Sequence, residues 1–157
     1  MIILIGSIPL LTAILILTIF ATRQMEQELE DSTYARLKAC AISVEKYFEW
    51  DIREGILCRD DVSYEFIDSV KKDDIELTFF EGDERYITSV VDENGKRAEG
   101  TKADASIWKQ VQAGNDYHSD GVQIAGTDYY VYYTPVYSDD GDVIGMGFAG
   151  EKEQAVN

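Results

Sequence analysis

Tyr129-Tyr130-Val131-Tyr132-Tyr133-Thr134-Pro135 and, beyond the turn Asp139-Asp140-Gly141-Asp142, Val143-Ile144-Gly145-Met146-Gly147-Phe148-Ala149-Gly150 decide the fold class of this chain. Aromatic and β-branched residues crowd the first run, and an acidic Gly-containing turn joins it to a second apolar run. That is the pattern of two strands in a hairpin. Side chains alternate along a strand, so Tyr129, Val131, Tyr133 and Pro135 share one face, and Tyr130, Tyr132 and Thr134 the other. Upstream, Tyr117 to Ala125 turns at Gly126 into Asp128 to Tyr137. Earlier still, Glu76 to Phe80 and Arg85 to Val91 read as strands joined at Gly82-Asp83. Asn94-Gly95 is a favoured two-residue hairpin pair, after which Ala98 to Lys102 returns as a short strand.

Three segments carry helical spacing instead. Tyr34, Leu37, Ala41, Val44, Phe48 and Ile52 recur at steps of three and four, which predicts a long amphipathic helix. Tyr64 to Val70 predicts a short helix. Ala105 to Ala113, with Ile107, Trp108 and Val111, predicts another that stops at Gly114. The expected class is α+β: a long N-terminal helix packed on a five- to six-stranded antiparallel sheet, preceded by one transmembrane helix.

Residues 1 to 22 contain no Asp, Glu, Lys or Arg, and Ile2 to Phe20 is almost continuously apolar. About 20 apolar residues suffice to cross the hydrocarbon layer as a helix. A cleaved signal peptide is the alternative, but its apolar core is shorter, and Ile19-Phe20-Ala21 is a poor small-x-small site. The segment therefore reads as an uncleaved anchor over 1–22, followed by a sensor domain over 23–152. Residues 153–157 then begin a connector to a second span absent from this chain, as in a piece of a longer receptor. Only Arg23 flanks the apolar run closely, so charge asymmetry says little about orientation. Met25 and Leu29 on the polar stretch after the anchor are candidates for a homodimer contact.

All charge lies after residue 22: 14 Lys and Arg against 30 Asp and Glu, a formal net charge of −16. Such a surface repels nucleic acid and anionic headgroups. The two cysteines, Cys40 and Cys58, permit one disulfide or a buried thiol. The sole histidine is His118, and no Cys/His cluster has metal spacing, so neither metal nor cofactor is expected. No nucleophile elbow, phosphate-binding loop or Ser-His-Asp order is present, which argues against an enzyme.

The phrases Gly82-Asp83-Glu84-Arg85, Asn94-Gly95-Lys96-Arg97, Gly100-Thr101, Gly126-Thr127-Asp128-Tyr129-Tyr130 and Val143-Ile144-Gly145-Met146 occur in an order that resembles a PAS-like single Cache domain of the third group. The resemblance covers roughly residues 26 to 152. It implies an extracytoplasmic sensor domain, as in methyl-accepting chemotaxis proteins and in sensor kinases for citrate and C4-dicarboxylates. A dimerising or protein-interaction module without a small-molecule ligand is the other reading.

In the dicarboxylate-sensing relatives an Arg and, three residues on, a His grip a carboxylate. Arg85 matches the Arg, and Thr88 stands at the His position. A basic residue four before the closing-strand Pro is replaced here by Val131. With one cation kept, the resemblance implies a small monocarboxylate held by the planar fork of Arg85. Thr101 beside Gly100, Tyr129, Val131 and Tyr133 of the closing strand, Trp108 as a lid and Tyr117 at the rim complete the expected site. Offsets of three point to opposite faces of a regular strand, so Arg85 and Thr88 converge only if the strand bends or ends between them.

Overall fold

The computed structural model describes residues 2–54 and 63–154. A Cys40–Cys58 bridge falls outside them, because Cys58 does; so do the last residues of the expected connector. Chain contacts divide the protein into residues 1–33 and 34–157. Helix α1 runs from Ile2 to Glu54. Its stretch Gly6–Glu49 is long and apolar enough to cross a membrane, with a window of mean hydropathy 1.7. The hydroxyls there donate within the helix: Thr12 to the Pro9 carbonyl at 2.9 Å, and Thr18 and Thr22 to those of Ile14 and Thr18 at 2.8 Å each. A hydrocarbon environment demands such internal satisfaction of polar groups.

In the second unit a five-stranded antiparallel sheet has the order β2-β1-β5-β4-β3. The strands are β1 (Ile75–Glu81), β2 (Glu84–Thr88), β3 (Tyr117–Ile124), β4 (Thr127–Tyr137) and β5 (Val143–Lys152). Helix α2 (Glu65–Asp68) and a 3-10 turn (Lys71–Asp73) precede β1, and α3 (Ala105–Gln112) lies between β2 and β3. The expected α+β class and the long helix on a sheet hold.

Alternation in the strands builds two cores. The seam Leu37, Ala41, Val44 and Phe48 is buried against Leu77, Phe79, Ile87, Tyr132, Val136 and Ala149 on one face. Phe80, Tyr129, Val131, Tyr133, Met146 and Phe148 fill the other, covered by Ile107 and Val111 of α3. A Cβ at Gly147 would collide with the Ala41 carbonyl oxygen, so glycine here lets α1 lie directly on β5.

Two expected details are corrected. The strand from Arg85 ends at Thr88, not Val91, and residues 98–102 form no ladder strand. Only the single bridges Val91 with Arg97 and Glu84 with Lys102 remain. The turn at Asn94-Gly95 is not a two-residue hairpin either. It spans Asp92 to Lys96, and the Asp92 carboxylate accepts from the Asn94 and Lys96 amides, both at 2.9 Å. Residues 98–103 meet β2 and its flanks only through scattered backbone bonds, Ala98 to Val90, Gly100 and Thr101 with Arg85, and Ala103 to Asp83, and these do not add up to a ladder.

Candidate functional site

A cleft of about 390 Å³ opens on the sheet face opposite the α1 seam. Its walls include Arg85 of β2, Ala98 and Thr101 of the following loop, Ile107 of α3, Val122 and Ile124 of β3, and Tyr133 of β4.

Arg85 reaches it because β2 is irregular. Across the β1–β2 ladder, Arg85 pairs with Phe80 and Thr88 with Thr78, with the register shifting between Phe79 and Phe80. The extra residue on β2 is a bulge, the device that re-aims a side chain. It puts Tyr86 and Ile87 both against the α1-side core, and Arg85 over the Phe80 ring, 5.1 Å from its centroid.

The loop then fixes the guanidinium. Arg85 exchanges backbone hydrogen bonds with it: its N–H donates to the Thr101 carbonyl, and the Gly100 N–H donates to its carbonyl, both at 2.8 Å. Gly100 has φ of 80°, a conformation that glycine adopts without cost. Nη1 donates to the Thr101 hydroxyl at 3.0 Å and to the Lys102 carbonyl at 3.1 Å. The Thr101 hydroxyl in turn donates to the Ala98 carbonyl. Tyr133 stands close enough to Arg85 that each shifts the other's pKa.

Arg85 is 5% exposed, and its Nε has no partner among the described residues. Arg85 forms no salt bridge with a carboxylate among the described residues. Burial pushes its pKa down, offset in part by Tyr133. Tyr133 is pushed up to about 12, chiefly by burial, with Arg85 pulling the other way. At neutral pH the arginine is charged and the phenol protonated.

The three carboxylates at the cleft are already engaged. Asp92 closes its own turn, Glu99 accepts from the Tyr64 hydroxyl at 2.7 Å, and Asp104 caps α3 by accepting from the Ser106 amide at 2.8 Å. Arg97 does not sit solvated at a hairpin tip, as its place beside Asn94-Gly95 suggests. It donates to both Asp68 oxygens at 2.9 and 2.7 Å and to the Thr88 carbonyl at 2.8 Å. Its guanidinium carbon also lies 4.0 Å from the Tyr64 ring centroid. Asp68 lies 29 residues away in sequence, so no local pattern announces it.

Of the residues expected at the site, Arg85, Thr101 and Tyr133 come together in the cleft. Thr88 shares their face, but its hydroxyl is 2.7 Å from that of Thr78 and accepts from the Val90 amide at 3.1 Å. Tyr129 and Val131 lie in the core on that face, and burial raises the Tyr129 pKa to about 12. Trp108 and Tyr117 pack at the margin of the same core without lining the cleft. Ile107, Val122 and Ile124 line it without having been expected there. The spacing of Ile107 and Val111 on α3, four residues apart, was the signal for the first. A second hollow of about 260 Å³, on the α1 face, is lined by the acids Glu45, Glu49 and Asp139 and by no cation among the described residues.

Among known proteins, the family described as single Cache domain 3 matches residues 60–157. No curated protein matches the chain.

Proposed function

The chain belongs to the single Cache domain 3 family, and from that premise we propose that it is the extracytoplasmic sensor of a transmembrane chemoreceptor that binds a small monocarboxylate on Arg85. One observation carries the reading. Among the described residues, a charged guanidinium is buried at the wall of a cleft with no carboxylate partner and an unused Nε–H. Leaving such a group desolvated costs stability, and a ligand carboxylate supplies both the missing counter-charge and the acceptor. The apolar N-terminal helix supports membrane anchoring, and Met25 and Leu29, both exposed, support a homodimer contact on α1.

Arg85 and Tyr133 of β4 line the same cleft, and β4 pairs with β5 along nearly its whole length. At its far end β5 carries Glu151, which is hydrogen-bonded to Arg36 of α1. A ligand that draws Arg85 and Tyr133 together biases this strand pair. It signals to the extent that it binds one arrangement better than the other.

Calorimetry on the full chain in lipid nanodiscs tests the proposal, with formate, acetate, propionate, lactate and pyruvate as ligands and Arg85→Met as the control. Binding by the wild type and none by the variant is expected. Heat from no acid, or equal affinity in both proteins, removes the reading.

A further inference from the structure

We propose that the ligand of the Arg85 cleft is a short amino acid, a zwitterion whose carboxylate lies on Arg85 and whose ammonium lies on Asp104. This rests on the carboxylate reading above and adds to the ligand a second charge of opposite sign. Arg85 and Asp104 both line the cleft. Opposite charges lining one cleft attract, yet among the described residues Arg85 has no carboxylate partner and its Nε–H is unused. Each of the two is fixed to nearby backbone rather than to the other.

The chain between them is pinned residue by residue. The Thr101 carbonyl accepts from the Arg85 N–H at 2.8 Å, the Lys102 carbonyl accepts from Nη1 at 3.1 Å, and the Ala103 N–H donates to the Asp83 carbonyl at 2.9 Å. Asp104 follows, two residues beyond the Lys102 carbonyl, and two residues of chain span at most about 7 Å. It is the N-cap of α3, and its Oδ1 accepts from the Ser106 amide at 2.8 Å and from the Ser106 hydroxyl. The hydroxyl and then the amide hold the Asp104 carboxyl below the usual aspartate range, so it is charged at neutral pH. A carboxylate has about four acceptor positions, and Ser106 occupies one oxygen of the pair. Tyr133 feels both charges: after burial, which raises its pKa, Arg85 lowers it and Asp104 raises it.

The other charged walls give a ligand less to hold. Asp92 accepts from two amides of its own turn, and Glu99 from Tyr64, which does not line the cleft. Arg97 is paired with Asp68. Lys102 lies 3.6 Å from Asp83 with its side chain 66% exposed, and Lys96 is exposed as well. An ion pair with so solvated an ammonium adds little. The second ligand charge favoured here is therefore positive. A zwitterion also has no net charge, so the −16 of the domain does not repel it as it repels a simple anion.

Four three-carbon acids isolate that second charge: propionate, alanine, β-alanine and malonate, titrated by calorimetry at pH 7 into the full chain in nanodiscs. The carbon count is constant, and the ammonium stands on the second carbon of alanine and the third of β-alanine. One of the two amino acids is expected to bind at least about tenfold tighter than propionate, and malonate no tighter than propionate. Asp104→Asn removes the charge and keeps the cap, since Asn and Asp cap helices about equally well. In that variant the advantage of the amino acid over propionate should fall to about twofold or less.

Propionate as tight as both amino acids overturns the ammonium and leaves the anion site standing. Malonate as the tightest of the four puts a second anion on Lys96 or Lys102 and overturns the zwitterion. An amino-acid advantage that survives Asp104→Asn undiminished overturns Asp104 as the partner of the ammonium. Binding by none of the four overturns the anion site as well.

Discussion

Arg85 and Thr88 lie three residues apart on β2 and on the same face of the sheet, because their ladder partners, Phe80 and Thr78, are only two apart on β1. The bulge that absorbs the extra residue is what makes the site possible. On a regular strand, if Thr88 kept its place opposite Thr78, Arg85 would point into the α1-side core among Phe79 and Leu77. Sharing a face does not make the two residues partners in binding, however. Arg85 is turned to the cleft, while Thr88 is spent on Thr78 and on the amide of Val90.

Thr88→Val should therefore act on stability and not on ligand affinity. It strands the Thr78 hydroxyl and the Val90 amide in a fully buried setting, at a cost of about 1–3 kcal/mol. Replacing Thr78 by Val as well removes one of the two stranded groups and should recover part of that loss. Urea unfolding of the single and double variants, beside a carboxylate titration, reads both. A loss of binding larger than the loss of stability would make Thr88 a ligand contact.

Arg85→Met is expected to separate function from stability in the opposite sense. The wild-type side chain carries a charge into the sheet face over Phe80 without a carboxylate, among the described residues, to offset desolvation. A methionine of similar length fills the same space without that penalty. The variant should lose carboxylate binding while its unfolding free energy stays level or rises by about 1 kcal/mol. A fall of several kcal/mol would mean that Arg85 holds the loop of Thr101 and Lys102 in place, rather than waiting for a ligand.

Much of this was legible in the chain because the underlying periods are regular. The three- and four-residue steps of Leu37, Ala41, Val44 and Phe48 are those of the buried seam, and alternation in Tyr129–Pro135 divides Val131 and Tyr133 from Tyr132 as the two cores do. What failed were features that no period encodes. A bulge adds one residue without changing composition, so nothing near Tyr86 signals that Arg85 and Thr88 converge. Asp92 folds its loop onto itself through its own side chain, and residues 98–102 return beside β2 through scattered bonds without a ladder. Trp108 reads as a lid from its place on the inserted helix, yet the buried stripe of α3 runs through Ile107 and Val111.

Gly147→Ala tests the close approach of α1 to the sheet. An added methyl would meet the backbone oxygen of Ala41, and backbone cannot swing away as the end of a side chain can. A cost of about 3 kcal/mol is expected, since the whole helix must lift from β5 to relieve the overlap. Thermal unfolding of the variant checks this, and a melting temperature within about two degrees of wild type would mean that the helix is free to move.

The Arg97–Asp68 pair gives the domain an acid-sensitive latch whose sign can be worked out. The hydrogen bond from Arg97 holds the Asp68 carboxyl below the usual aspartate range, against a smaller opposing effect of burial. A carboxyl depressed in the folded state contributes stability that is present above its unfolded pKa of about 3.9 and lost as pH falls through the folded value. Both side chains are about a third exposed, so solvent screening limits the contribution to about 1 kcal/mol or less. Asp68→Asn should thus be less stable than wild type at pH 7, and the gap should close as the pH drops below about 4. Denaturant unfolding at pH 7, 5 and 3 reads the effect. A gap that stays constant with pH would show that Asp68 holds Arg97 by shape and hydrogen bonding without its charge.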